Sequence, residues 1–202
     1  MFEYNSKVVS DNIENVWDQH TLDDFNEGKM WYRDANQFSL EVADKYKVTP
    51  VVSTGVLSAL SPLKEWELNK RLTHNFFTLV EKDKQEGWKK VGHYRTQKEK
   101  AWNIYNLVAP VASDVSKILN GLKTVNFFGS INNPDNDENF CIDRHMIKVA
   151  AVTNDLTLTS KQYLFLQKEY VNFAKRVNMI PCSVQAILWV TWRRLKKNTN
   201  EE

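Results

Sequence analysis

Glycine and proline interrupt regular backbone more readily than any other residues, and this chain has only six Gly and five Pro among 202 residues. Long stretches therefore run without a breaker, and apolar residues recur in them at the three-and-four spacing of one helical face. Alternating strand-like runs are scarce. The expected fold is all-α, a bundle of about ten helices. The expected helices are Asp11 to His20, Leu22 to Tyr46 with an interruption near Gly28, Val51 to Leu60, and one opening at Ser61-Pro62 and running to about Lys82. Further helices are expected over Gln97 to Val108, Pro110 to Leu119, Lys123 to Ile131, Asp143 to Val152, Ser160 to Asn178, and Pro181 to about Lys196. Pro62 after Ser61 fits a helix start, because the first helical position needs no N–H donor. Asn120-Gly121 reads as a turn, and Asn132 to Asn139 as a polar loop.

Hydrophobic residues make up 42% of the chain, enough for a sizeable core. Residues 1–50 read as a helical extension packed on a core of 51–197, with 198–202 as a frayed tail. Charge is uneven. Residues 1–47 carry 10 acidic and 5 basic side chains, which leaves 15 of the chain's 25 Asp/Glu and 22 of its 27 Lys/Arg for the remainder. The later three-quarters is thus basic, which suits a polyanionic partner but equally describes an ordinary uneven surface. Two cysteines, Cys141 and Cys182, make no disulfide framework, and no zinc-ligand spacing involves them or the four histidines. No metal and no cofactor are expected. The first residues, Met1-Phe2-Glu3-Tyr4, carry no basic-then-apolar stretch, and no apolar run reaches membrane-spanning length. A soluble, cytoplasmic monomer without a membrane partner is expected.

Three segments carry potential chemistry. They are Val56-Leu57-Ser58-Ala59-Leu60-Ser61-Pro62 with Asn69 after it, Leu119-Asn120-Gly121-Leu122-Lys123-Thr124-Val125-Asn126, and Ile142-Asp143-Arg144-His145-Met146-Ile147-Lys148-Val149. In this order and spacing, with Tyr94 to Ile104 before the second, they resemble the helix-hairpin-helix, endonuclease III-like DNA glycosylases. The likeness covers roughly 51–195. That family has an L-P-G-V-G-x-K-T-A-N hairpin, a V-D-T-H-V-x-R-V segment about 18 residues beyond the hairpin lysine, and an early L-L-S-A-Q helix. Here the hairpin is shortened to Gly121-Leu122-Lys123, Leu60 stands where the family has its glutamine, and the four-cysteine iron–sulfur motif is missing. The chain looks more like a divergent branch encoded by bacteriophages, whose relatives remove modified bases or take part in base hypermodification. The resemblance implies a helix-hairpin-helix bundle with a cleft between two helical lobes, and a double-stranded DNA partner containing a modified base.

It also implies roles. Asp143 becomes the catalytic carboxylate, because breaking an N-glycosidic bond builds positive charge on the sugar that a carboxylate stabilises. Taken alone, Asp143 is equally a good helix N-cap. Lys123 becomes a possible nucleophile; a lysine in the first turn of a helix faces the positive end of the dipole, which favours the free amine. It reads as well as a surface or phosphate-contacting lysine. Gly121, Leu122, Thr124, Asn126, Arg144, His145, Ser61 and Leu60 are the candidate DNA contacts. Asn69, Gln185 and Trp189 are weaker candidates for a base pocket, and Trp31 and Tyr32 read chiefly as core. Two rival functions remain at this point: a transferase that modifies an extruded base, and a non-catalytic DNA-binding protein.

Overall fold

A computed structural model describes residues 2–153 and 155–198. The described residues form ten α-helices, one short 3-10 turn over Gly87–Lys90, and no strand. The helices are α1 (Ser6–Trp17), α2 (Leu22–Tyr46), α3 (Pro50–Ala59), α4 (Trp66–Lys82), α5 (Arg95–Tyr105), α6 (Ala112–Leu119), α7 (Leu122–Asn132), α8 (Arg144–Ala150), α9 (Ser160–Arg176) and α10 (Pro181–Asn198). The fold is all-α. Of the expected frayed tail, 199–202 lie outside the described residues, while Asn198 is helical.

The division of the chain differs from a boundary near residue 50. One compact unit comprises residues 1–34 and 133–202, and the other is the continuous stretch 35–132. The change of unit falls between Asp34 and Ala35, inside α2, where the backbone stays helical.

Local chemistry explains most helix ends. The Asn5 side chain accepts the Val8 N–H, so α1 starts five residues before Asp11. Thr21 and Asp24 bond each other's backbone N–H reciprocally and open α2. Thr49 caps α3 with Pro50 at its first position. The start expected at Ser61-Pro62 is corrected: Leu63 takes a left-handed backbone (φ 61°), so the chain turns and α4 begins only at Trp66. The Ser61 hydroxyl donates back to the Ser58 carbonyl instead.

Gly28 does not interrupt α2. In the first unit, a Cβ built there would lie 2.5 Å from the Ile187 amide nitrogen and 2.7 Å from its Cγ1. The glycine lets α10 pack closely on α2. Around this contact, α1 packs on α8, α9 and α10, and Val9, Ile13, Met146, Tyr170, Phe173 and Ile187 are buried. The Asn12 amide donates to the Ala150 carbonyl, tying α1 to the end of α8.

In the second unit α3 is central and touches α4, α5, α6 and α7. It is largely apolar and is buried from Val52 to Ala59, Ser53, Thr54 and Ser58 included, as suits an enclosed helix. Val52, Val56, Leu60, Phe76, Phe77, Ile104, Val115, Leu119 and Phe128 form the core. The α6–α7 turn uses Asn120 in a left-handed conformation (φ 44°) followed by Gly121 at φ 157°, and a Cβ at Gly121 would meet nothing within 4 Å.

Candidate functional site

Asp143 is built into the first unit by tyrosines of α9. The Phe140 ring stacks on Tyr170 at 4.5 Å between centroids. The Tyr163 hydroxyl accepts the Ile142 N–H at 3.0 Å and donates to the Phe140 carbonyl at 3.3 Å. The Tyr170 hydroxyl donates to the Met146 carbonyl at 2.6 Å. Both phenols are buried, so the residues on either side of Asp143 are fixed from beneath. This is how a side chain at a helix start is held in one geometry.

Asp143 itself is half-buried and extended (φ −99°), capping α8. One carboxylate oxygen, Oδ1, accepts both the His145 N–H at 2.8 Å and the Met146 N–H at 2.9 Å. Among the described residues nothing bonds its Oδ2. One oxygen therefore serves the helix, while the other keeps its lone pairs for another group.

Burial holds His145 below its ordinary value against the raising effect of Asp143, and the charges of Arg144, Arg193 and Lys148 push the same way as burial. Its imidazole is then neutral at neutral pH and lies edge-on to Trp189, centroids 6.3 Å apart. Burial pushes the Tyr32 phenol well above its ordinary value, with Cys141, Cys182 and Asp143 adding to the shift. Tyr32 remains a proton donor and gives its hydrogen to the Gln185 Oε1 at 2.7 Å. The Cys182 thiol, pushed up to about 12 by burial, donates to the Pro134 carbonyl at 3.2 Å. It is no thiolate nucleophile.

Beside His145 the first unit carries a groove of about 700 Å³, lined by α8 and α10 with Glu27 of α2. Its walls hold Trp189, Trp192, Lys148, Arg193 and Lys197. Arg194 also lines it but is committed elsewhere, to Asp24 at 2.8 Å and the Gln19 carbonyl. Among the described residues no group of three or more His, Cys, Asp or Glu side chains could hold a metal ion.

The expected site residues thus fall into two sets. Asp143, Arg144, His145, Gln185 and Trp189 belong to the first unit, where His145 links the α8 start capped by Asp143 to Trp189 of α10. Gln185 is buried on Tyr32 rather than facing the groove. Leu60, Ser61, Asn69, Gly121, Leu122, Lys123, Thr124 and Asn126 belong to the second unit. Gly121 and Lys123 are exposed there, with Leu122 and Thr124 half-buried.

Three of that second set are corrected. Leu60, expected at the DNA side, is fully buried in the unit's core because it closes the enclosed face of α3. Asn126 is buried, and its amide donates to the Leu122 carbonyl one turn back. Asn69 is buried with no hydrogen-bond partner on Oδ1 among the described residues. Sequence reasoning missed the supporting Tyr163 and Tyr170 as anything but core. It also missed Lys148, Trp192, Arg193 and Lys197; for the last three the signal was a helical spacing of basic and aromatic residues along α10.

The sequence pattern of DUF7178, a family of unknown function, matches residues 2–196. The chain belongs to the DUF7178 family. The match runs from before α1 into α10 and so takes in both units. No curated protein and no solved structure matches the chain. Among the described residues, no helix of this family member is long and apolar enough to cross a membrane.

Proposed function

We propose that this DUF7178 chain is a helix-hairpin-helix-type DNA glycosylase that excises a modified base, with Asp143 as its working carboxylate. The observation that carries the reading is the split duty of that side chain: Oδ1 holds the start of α8, while among the described residues Oδ2 has no partner. A residue serving only as a cap has no need of the tyrosine scaffold that also fixes its neighbours. The groove of tryptophans and cations beside it suits a polyanion bearing aromatic bases.

In this reading the target nucleotide leaves the stack. The bond between C1′ and the base nitrogen breaks, and the electron pair leaves with the base, which takes a proton from solvent. Positive charge grows on the sugar, and the Asp143 carboxylate stabilises it. A water oxygen adds at C1′ while its proton passes to the carboxylate and on to solvent. Lys123 is the alternative nucleophile. It is exposed in the first turn of α7, in the second unit, directly after the Asn120-Gly121 turn and Leu122.

The test is product analysis on a panel of DNAs carrying natural modified bases. Free base and abasic sites are the expected products, with the rate lowered by about 100-fold or more in Asp143→Asn, the scale of lost acid–base assistance. New modified nucleosides without free base would replace excision by group transfer, and no product from any DNA would leave binding alone. Borohydride trapping reads Lys123: a covalent adduct that disappears in Lys123→Gln assigns the nucleophile, and its absence assigns water.

A further inference from the structure

The groove on α8 and α10 has a pattern of its own. Trp189, Trp192, Arg193, Lys196 and Lys197 recur at i, i+3, i+4, i+7 and i+8, so they share one face of α10. The Arg193 guanidinium lies 4.4 Å from the Trp189 ring centroid, and the Lys196 ammonium 4.8 Å from that of Trp192. Lys148 of α8 joins them in the lining, against a single carboxylate, Glu27. Lys148, Arg193 and Lys197 are exposed, and among the described residues none forms an ion pair. The volume, about 700 Å³, lies within the roughly 300–1,000 Å³ usual for sites that enclose a ligand.

We infer that this groove binds an unpaired stretch of DNA, with Lys148, Arg193 and Lys197 on consecutive phosphates and a base stacked on the tryptophan–cation pairs. Charge complementarity selects a polyanion. The cation-backed indoles select one that offers a flat π-face, which a paired base buried in its stack does not. A lipid surface fits less well. The aliphatic Val184, Ile187 and Leu188 of α10 are already buried in the protein, so the groove face offers two tryptophans set among cations rather than a broad aliphatic face to enter a bilayer. The inference deepens the glycosylase reading by saying how DNA is held beside Asp143, but the groove needs no chemistry from Asp143 to bind.

The experiment is fluorescence anisotropy with the full chain and two labelled 20-mer duplexes, one fully paired and one with a three-nucleotide unpaired gap. The gapped duplex is expected to bind at least about fivefold more tightly, the lower end of one base-stacking interaction. Trp192→Leu should abolish that preference. Lys148→Gln/Arg193→Gln/Lys197→Gln should flatten the slope of log affinity against log salt by about 2 to 3, near 0.9 for each phosphate no longer neutralised. These three side chains are exposed, so thermal denaturation should show the variant folded; the gap preference and salt slope of the wild type stand independently of it. Equal binding of the two duplexes, or an unchanged salt slope in the triple variant, overturns the inference. So does displacement of the DNA by vesicles of anionic lipid. Product analysis on the same wild-type samples tells the two failures apart: a gap preference without free base marks failure of the chemistry, and free base with equal binding of the two duplexes marks failure of the groove.

Discussion

Replacing Asp143 by Asn and by Ala separates its two roles. Two backbone N–H groups, of His145 and Met146, depend on one oxygen of this side chain. Asn offers a neutral oxygen in the same place and caps helices about as well as Asp. Ala offers none, which costs about 1 kcal/mol typically and up to about 2 for a cap of this kind. The dipole contribution lost with the charge is small, because α8 has only seven residues. At about 2–4 °C per kcal/mol for a chain of this size, Asp143→Ala should lower Tm by about 2–8 °C and Asp143→Asn by less than about 2 °C. Thermal denaturation followed by circular dichroism reads the difference, and product analysis reads the chemistry on the same samples. Stability should therefore fall in the order wild type, Asn, Ala, with a large step only at Ala, whereas activity should fall at the first step. If Asn unfolds as readily as Ala, the cap depends on charge and the two oxygens do not divide the roles. If Asn keeps its Tm and excises base at the wild-type rate, the unbonded oxygen has no catalytic role.

Gly28→Ala places a methyl against the backbone of Ile187, which cannot swing aside; a strain near 3 kcal/mol less about 1 of gained helix propensity should lower Tm by about 4–8 °C, and an unchanged or raised Tm would mean that α2 and α10 can separate freely. Tyr170→Phe removes the buried donor to the Met146 carbonyl while keeping the stack on Phe140; it should cost about 1 kcal/mol in urea denaturation and, if Asp143 is held in position from α9, slow excision without changing DNA affinity. For pH, His74, His93 and His145 are all held below the ordinary imidazole value, burial being the largest cause in each. The unfolded chain therefore binds these protons first, so their contribution to stability is fully present above about pH 6.5 and is lost as pH falls through the folded values. Urea midpoints should be level from about pH 8 to 7 and decline toward about pH 5.5, and a midpoint that rises on acidification contradicts the assignment.

The sequence made the helices legible wherever the signal was local. An unbroken apolar spacing placed α2, α3 and α9 within a residue or two of their observed ends. It failed where the deciding contact was distant or conformational. Gly28 resembled a break because its reason for being glycine is Ile187, far along the chain. Ser61-Pro62 resembled a start because nothing nearby announces the left-handed Leu63. Asp143 was legible as a residue type at a helix start. The tyrosines beneath it read as packing, since a core face and a positioning face look the same in one dimension.

The same limit governs the candidate site. Lys123 and Asp143 stand 20 residues apart in the sequence, a spacing that invites reading them as one constellation. The chain passes from one compact unit to the other between them, at Asn132 and Asn133. It had already crossed the other way inside α2, where continuous helical periodicity hid the boundary that was expected near residue 50. Linear spacing across such a crossing constrains geometry weakly, whereas contacts inside one unit constrain it strongly. Asp143 is therefore best understood through the groups that fold with it: Tyr163 and Tyr170 from α9, His145 from its own first turn, and the α10 face bearing Trp189 and Arg193. Residues 1–34 are part of that same unit, with Asn12 bonded to the end of α8 and Gly28 seated on Ile187. The acidic N-terminal stretch is thus structural support for the candidate carboxylate rather than an appendage to the basic core, and its removal should disable Asp143 even though it supplies none of the groups proposed to react.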